Sequence, residues 1–304
     1  MCLEQIKVKL HYIMPKHALT VLVGCLASAK LGKLTTLAIK QFAKLYQIDL
    51  DDVKDNPEDF KTFNDFFARA LKEGKRPIDA SDNSIIFPAD GKISQYGNLL
   101  GNVQIQAKGH YFSTAALLTD EKDAATFENG QFMTVYLSPS DYHRVHMPID
   151  GKLLKMIYVP GEFFSVNPLY VRNIPELFSR NERVICLFET KVGKMAVVFV
   201  GATIVRSIST AWEGIVAPST IRELSVTEYN NKNITFKKGE EIGRFTMGST
   251  VICLFEKDAI VFEGLKLENH ILMGEKMAKT TIKSPKVKTA AKTTKTKVTK
   301  KAKK

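Results

Sequence analysis

The chain has 304 residues, of which 44% are apolar and 25% charged, a composition that excludes a disordered protein and suits one large core or two modest ones. Its formal net charge of +12 is concentrated in residues 283–304, which hold ten Lys and no acid, leaving 12 − 10 = +2 for the rest. This distribution argues against a nucleic-acid-binding core. The four Cys are far apart and form no Cys-x-x-Cys pair, so they indicate neither a zinc knuckle nor a disulfide framework, and a reduced cytoplasmic setting fits best.

The first 46 residues predict helices without a membrane span. Residues 18–29 carry no charge, but this stretch is shorter than the roughly 20 residues that cross a bilayer. From Leu34 to Tyr46, apolar residues recur at helical spacing, with Lys33, Lys40 and Lys44 on the opposite side. Such an amphipathic helix either packs on the protein's own core or lies on an anionic membrane, which uses both faces. The sequence leaves both alternatives open.

The remainder of the chain is predicted to be rich in β structure. Thr62 is predicted to cap a short helix over residues 64–69. Short apolar runs separated by Gly predict strands near residues 85–87, 92–94, 103–105, 133–137, 197–200 and 251–255. We therefore predict an α+β protein in which N-terminal amphipathic helices pack on a largely antiparallel β core. The predicted regions are a helical membrane-associating region at 1–78, a β-rich catalytic core at 79–282 and a disordered Lys-rich tail at 283–304.

A Gly-Ser pair precedes the last apolar run. Gly248-Ser249 is typical of a tight turn that enters a strand, because Gly tolerates positive φ and Ser hydrogen-bonds locally. Alternatively, Ser249 attacks the carbonyl group that precedes it, which requires a base nearby.

Two other segments offer catalytic side chains. His143 and His146 are two of only six His and lie three residues apart. The other His have no ligand-like spacing, so a metal site is disfavoured, and catalysis or core hydrogen bonding remains. Asp90 lies in the turn-forming string Pro-Ala-Asp-Gly, where an Asp commonly serves its own backbone.

Seven motifs, in one order, resemble the phosphatidylserine decarboxylase family. Each is unspecific by itself, but together they extend from about Phe60 to Phe255. In this sequence they read Phe63-Asn64-Asp65-Phe66-Phe67, Pro88-Ala89-Asp90-Gly91, Asp141-Tyr142-His143-Arg144-Val145-His146-Met147-Pro148, Pro160-Gly161, Val166-Asn167-Pro168, Val200-Gly201-Ala202-Thr203 and Gly248-Ser249-Thr250.

The resemblance implies a proenzyme that cuts itself after Gly248 and converts Ser249 into a pyruvoyl group. It implies that Asp90, His146 and Ser249 form the self-cleavage triad and that His143 acts in decarboxylation. The pyruvoyl group would be the cofactor, without a metal, and would convert phosphatidylserine to phosphatidylethanolamine through a Schiff base. The processed protein would be a heterodimer of a large chain, 1–248, and a small chain, 249–304.

The residues are chemically suited to this reaction. A Ser hydroxyl group is a poor nucleophile at neutral pH, and a His with a pKa of about 6.5 can take its proton, a contribution of roughly 10²–10⁴-fold. Two positions depart from the family pattern. Met247 replaces the usual Leu, a volume-conserving change, and Arg206 stands where relatives tend to have Gly and must reach solvent or an anion.

Two other functions fit part of the sequence. A serine hydrolase would use Ser249, His146 and Asp90, although residues 245–251 lack a Gly-x-Ser-x-Gly elbow. A basic nucleic-acid or membrane-binding module would use the tail and bind in a salt-sensitive way without processing. A lipid-headgroup decarboxylase must sit at the bilayer, so we expect a peripheral protein on the cytoplasmic side of the cell membrane. An anionic surface would be contacted by the N-terminal helices and by the tail.

Overall fold

The computed structural model describes residues 3–107, 109–203, 207–217, 223–246 and 249–281. Several predictions concern residues outside these ranges: Met247, Gly248, Arg206 and the tail at 283–304.

In the part of the chain that the structure describes, four α-helices and one 3₁₀ turn precede the first strand, and four short helices follow it. Thr62 caps α4, since its side chain accepts a hydrogen bond from the Asp65 N–H while the Asp65 carboxylate accepts one from the Thr62 N–H. This confirms the predicted cap, although the helix ends at Phe67, two residues before the predicted end. The helices are α1 Leu3–Ile13, α2 Lys16–Ser28, α3 Lys33–Leu45, a 3₁₀ turn Leu50–Asp52, α4 Phe63–Phe67, α5 Thr114–Leu118, α6 Glu121–Thr126, α7 Pro168–Val171 and α8 Leu177–Arg180.

Strands dominate after residue 83, and every predicted run lies in or overlaps a strand. The strands are β1 Ser84–Ile86, β2 Gly91–Asn98, β3 Val103–Ala107, β4 His110–Ser113, β5 Gln131–Leu137, β6 Arg144–His146, β7 Gly151–Val159, β8 Arg183–Thr190, β9 Gly193–Val200, β10 Ile208–Thr210, β11 Gly214–Ala217, β12 Ser225–Glu228, β13 Thr235–Phe236, β14 Glu241–Phe245, β15 Ser249–Phe255, β16 Ile260–Phe262, β17 His270–Ile271 and β18 Lys276–Thr280.

Within the described residues, the strands form four sheets with antiparallel pairing, which confirms the predicted α+β class. The largest has nine strands in the order β12-β7-β8-β9-β15-β5-β2-β17, with β13 also beside β7. A four-stranded sheet has the order β11-β10-β14-β6, a three-stranded one β1-β18-β16, and β3 pairs with β4. All seven residues of β15 are buried, because this strand lies at the centre of the large sheet.

The helix α3 presents two apolar faces with different surroundings. Ile39 and Ala43 are buried and form a small core with Phe66 of α4. By contrast, Leu34 and Leu37 are 63% and 54% exposed. The apolar stripe predicted from the sequence is therefore divided between the protein's own core and the surface, so neither predicted alternative describes the whole helix.

No single helix in the described ranges has both the length and the apolar character required to cross a membrane. Only α1 and α2 taken together, with a bend of 80° between them, satisfy the length and composition criteria.

Candidate active site

One edge of the large sheet gathers the predicted site residues. Ser249, the first residue of β15, is paired with Leu137, the last residue of β5. The next residue of β15, Thr250, is paired with Val200 at the end of β9. On the other side of β5, the strand β2 begins immediately after Asp90. We call this edge, formed by the starts of β2 and β15 and the ends of β5 and β9, the Ser249 edge.

Gly91 allows the chain at Asp90 to approach this edge closely. Its φ is +151°, and a Cβ atom at this position would collide with the carbonyl oxygen of Tyr136. Only Gly accommodates both the backbone conformation and the contact. The Pro-Ala-Asp-Gly string therefore brings a carboxylate next to the end of β5.

The segment between β5 and β6 brings both His to the same edge. The His143 carbonyl accepts a hydrogen bond of 3.0 Å from the Phe245 N–H, four residues before Ser249. In the next part of this segment, β6 pairs with β14, so that His146 lies opposite Glu241. The backbone thus holds the His-bearing segment against the strand that leads to Ser249.

Ser249 is 0% exposed, and its hydroxyl group has no hydrogen-bond partner in the described chain. An unpaired hydroxyl group in a protein interior costs free energy that a core residue ordinarily avoids. The position is therefore unfavourable for stability and suits a group that reacts.

His143 is fully buried, and its ring stacks on Phe67 with a centroid distance of 4.2 Å. Neither ring nitrogen has a hydrogen-bond partner among the described residues. Burial, helped by the nearby Arg69 guanidinium, lowers the pKa of His143 to about 3. The ring is therefore neutral at physiological pH.

His146 has a defined tautomer, since its Nδ1 lies 2.8 Å from the Gly239 carbonyl oxygen and must donate to it. The Nε2 atom is then the acceptor, and it lies 3.1 Å from the Tyr142 hydroxyl group. Burial lowers the pKa of His146, and the hydrogen bond to Gly239 opposes this shift. Burial also raises the pKa of the Tyr142 hydroxyl group to about 12. His146 is thus a neutral base whose Nε2 accepts a hydrogen bond from the Tyr142 hydroxyl group.

Asp90 is buried, and its partners differ from those that the resemblance implies. Its Oδ1 accepts hydrogen bonds of 2.8 Å from Arg76 Nε and from the Met273 N–H. No side-chain hydrogen bond joins Asp90 to His146 or to Ser249 in the described chain. The Asp90 charge acts on His146 only through space, where it slightly favours the protonated ring.

An apolar pocket of about 310 Å³ opens at the Ser249 edge. Phe67, the stacking partner of His143, lines it together with Tyr136 at the end of β5. The N-terminal helices complete its wall through Val23 of α2 and Phe42 of α3. Among the described residues, no charged side chain belongs to its lining, so this part of the pocket suits an apolar or neutral part of a substrate.

The sequence is similar to that of one family of known proteins. A family model described as phosphatidylserine decarboxylase matches residues 63–279, and a second, described as PSD, matches residues 6–47. A phosphatidylserine decarboxylase proenzyme of Shewanella baltica is 51% identical over 283 residues, which is 91% of this chain and 97% of the relative. Its counterpart in Vibrio parahaemolyticus is 54% identical over 272 residues, 88% of this chain and 95% of the relative.

The chain belongs to the phosphatidylserine decarboxylase family. It is therefore a decarboxylase of the lyase class, and the predicted resemblance is confirmed. The matched family region contains the four predicted site residues.

The hydrogen bonds of the site identify three residues that the sequence analysis did not single out. Tyr142 contacts the base nitrogen of His146, and it precedes His143 in the same motif, which was the available signal. Arg76 holds Asp90 from fourteen residues away, a spacing that carries no recognisable pattern. Arg69 donates to the Ser140 carbonyl group and so fixes the segment that carries both His.

Proposed function

We propose that this decarboxylase acts on phosphatidylserine and matures by cutting its own Gly248–Ser249 bond. The observation that supports the proposal best is the buried, unpartnered hydroxyl group of Ser249 at an edge that also carries two neutral His. Both the proenzyme names of the relatives and the matched family model are consistent with it.

In the proposed cleavage, the Ser249 oxygen attacks the Gly248 carbonyl carbon, and the peptide bond becomes an ester. His146 Nε2 takes the hydroxyl proton, after its contact with Tyr142 yields. Loss of the Ser249 Cα proton and cleavage of its Cβ–O bond leave a Gly248 carboxylate and a dehydroalanine. Water then converts the dehydroalanine to a pyruvoyl group and ammonia.

The pyruvoyl group, once formed, supplies an electron sink for the loss of carbon dioxide from an amine-bearing substrate. It would lie at the start of β15, next to the end of β5. His143, which is neutral and has no ring hydrogen bond among the described residues, would give or take the proton that replaces the carboxylate. The apolar pocket at this edge suits the glycerol and upper acyl region of a lipid.

We further propose that the protein binds peripherally to the cytoplasmic side of an anionic cell membrane. Apolar side chains of the first three helices are exposed next to the proposed substrate pocket, including Leu22, Leu26 and Leu34 at 60%, 61% and 63%. An exposed apolar patch of this kind marks a contact surface, and Lys residues in the same region favour anionic lipid.

Intact-mass measurement of the purified protein tests the maturation proposal. The parent should give two chains, 1–248 and 249–304, the smaller without a free amine, whereas Ser249→Ala should remain one chain. A Ser249→Ala protein that is still cut at this bond would show that the hydroxyl group is not the nucleophile.

A further inference from the structure

A polar pocket of about 560 Å³ lies beside the segment that leads to the cleavage bond. Arg69, Arg144 of β6 and Arg244 of β14 line it, and Thr246 forms part of its wall. It is separate from the apolar pocket at the Ser249 edge, and the two share no lining residue. The function described so far does not use it.

Two of the three arginines share one carboxylate. Arg144 and Arg244 are directly paired across β6 and β14. Arg144 Nη1 lies 2.9 Å from Glu241 Oε2, and Arg244 Nε lies 2.7 Å from Glu241 Oε1. One negative charge between two guanidinium groups leaves one positive charge uncompensated at this wall.

Arg69 adds a buried guanidinium that has free donors. It is 3% exposed, and its Nη2 donates to the Ser140 and Asp141 carbonyl groups at 2.8 and 3.1 Å. Its Nε and Nη1 have no hydrogen-bond partner in the described chain. Unsatisfied buried N–H groups on a cation are costly, and an anionic oxygen would satisfy them.

The acidic residues of the pocket lie on its outer, exposed wall. These are Asp55, Asp59 and Asp65. Two of them are already occupied, since Asp59 accepts from the Asn56 N–H and Asp65 from the Thr62 N–H. The inner wall next to β14 is therefore the basic one.

The new chain end produced by cleavage can reach this pocket. Only Met247 separates Thr246 from Gly248, and two extended residues span about 7 Å. The apolar pocket at the Ser249 edge has no charged side chain among its described lining residues, and burial of an unpaired carboxylate is costly.

We propose that the Gly248 carboxylate, created when the ester to Ser249 is eliminated, binds in this pocket among Arg69, Arg144 and Arg244. This inference rests on the proposed self-cleavage. Binding there holds the released end on the β14 side, away from the Ser249 edge. It also keeps the carboxylate oxygens from adding back to Cβ of the dehydroalanine, which is the reverse of the elimination.

Timed carboxypeptidase digestion of the mature protein, read by the mass of the large chain, tests this binding. In the native parent, Gly248 should be removed at least about tenfold more slowly than from the large chain separated in denaturant, since charge-assisted hydrogen bonds to Arg would hold it. Arg244→Gln should lose most of this protection, Arg244→Lys should keep part of it, and Lys279→Gln, which removes a charge on β18, should behave like the parent.

The possible outcomes separate the two proposals. An uncut parent chain would overturn both. If the parent is cut but its Gly248 is digested as fast in the native protein as in denaturant, only the proposed binding of the Gly248 carboxylate is overturned. This comparison uses the parent alone and needs no variant. Unchanged digestion of Arg244→Gln, combined with a raised KM for phosphatidylserine, would also overturn it and assign the pocket to the substrate headgroup.

Discussion

His143 and His146 are three residues apart in sequence, but they occupy different environments. His146 is held by the Gly239 carbonyl group and the Tyr142 hydroxyl group, which fix its tautomer. His143 has no hydrogen bond from its ring among the described residues and is held by its stacking on Phe67. The environment of His146 suits a positioned base for a single cleavage. The environment of His143 suits proton exchange with a substrate that binds and dissociates.

These environments predict different defects for the two His variants. His146→Ala should leave the chain uncut, because the Ser249 proton then has no acceptor. His143→Ala should allow at least partial cleavage but reduce carbon dioxide release from phosphatidylserine about 10²-fold or more, a typical loss for a general acid. Intact mass and carbon dioxide release, measured on the same samples, check both. If both variants mature and decarboxylate at the parent rate, the pair is structural.

At the scale of elements, β15 begins with the proposed nucleophile and has long pairings with both of its neighbours. It pairs with β5 over seven residues and with β9 over six. In the proposed processed form, β15 belongs to the small chain and both its neighbours to the large chain. The proposed cleavage would therefore interrupt the covalent connection and leave the pairing of residues 250–255 in place.

We predict that the two chains remain together after cleavage. They should elute as one species in size-exclusion chromatography under native conditions and separate only in denaturant. Ile252→Ala, which removes a fully buried side chain of β15, should destabilise the assembly by about 2–5 kcal/mol and lower the urea concentration at which the chains separate. Separation of the parent chains in native buffer would contradict this role of β15.

The N-terminal helices combine a structural and a surface role. Ile39 and Ala43 pack against Phe66, so removal of residues 1–46 would also open this small core. Leu22 and Leu26 of α2 instead face outward. Point substitutions of the outward leucines therefore test membrane contact more cleanly than a truncation does.

We predict that Leu22→Gln and Leu26→Gln each weaken vesicle binding about tenfold, at low and at high salt. The reason is that burial of one Leu contributes about 1.5–3 kcal/mol and is not screened by salt. Ile215→Gln is the matched control, because Ile215 is 72% exposed and belongs to β11 instead of the N-terminal helices. Flotation with phosphatidylserine-containing vesicles measures the effect. Equal flotation of the Leu variants and the parent would remove α2 from the contact surface.

At the scale of the whole molecule, buried neutral His couple stability to pH. In the fold, burial lowers the pKa of His143 to about 3 and also lowers that of His146. In the unfolded chain both titrate near 6.5. Above this pH neither state binds the proton, whereas below it the unfolded chain binds more protons. The free energy of unfolding must therefore fall as the pH falls from about 6.5.

The predicted fall for His143 is roughly 1.4 kcal/mol for each pH unit between about 6.5 and 3. Urea unfolding of the Ser249→Ala precursor, a single chain, at about pH 7 and pH 5 measures it. In the same background, His143→Phe preserves a ring against Phe67 and should reduce the loss between the two pH values by about 2 kcal/mol. An equal loss with and without His143 would show that other groups set the acid sensitivity.

The sequence by itself determined the class of fold, the main strands and the family. Apolar periodicity and caps are local properties, so Thr62, the β15 run and the seven ordered motifs could be interpreted without coordinates. Of the eighteen described strands, six contain or overlap a predicted run, and the others, among them β7 and β8, were not predicted. In β7, Lys152 and Lys155 interrupt the apolar pattern. The continuous apolar run in β8 is typical of a strand, but the sequence analysis did not identify it.

The tertiary structure decided which partners the site residues have. Asp90 binds Arg76 instead of His146, and Tyr142 contacts the His146 base nitrogen, because strand register and loop packing set these distances. The division of α3 between core and surface depends likewise on what packs against it. Patterns along a chain specify which residues tend to be buried, but only the assembled sheet determines which buried groups meet.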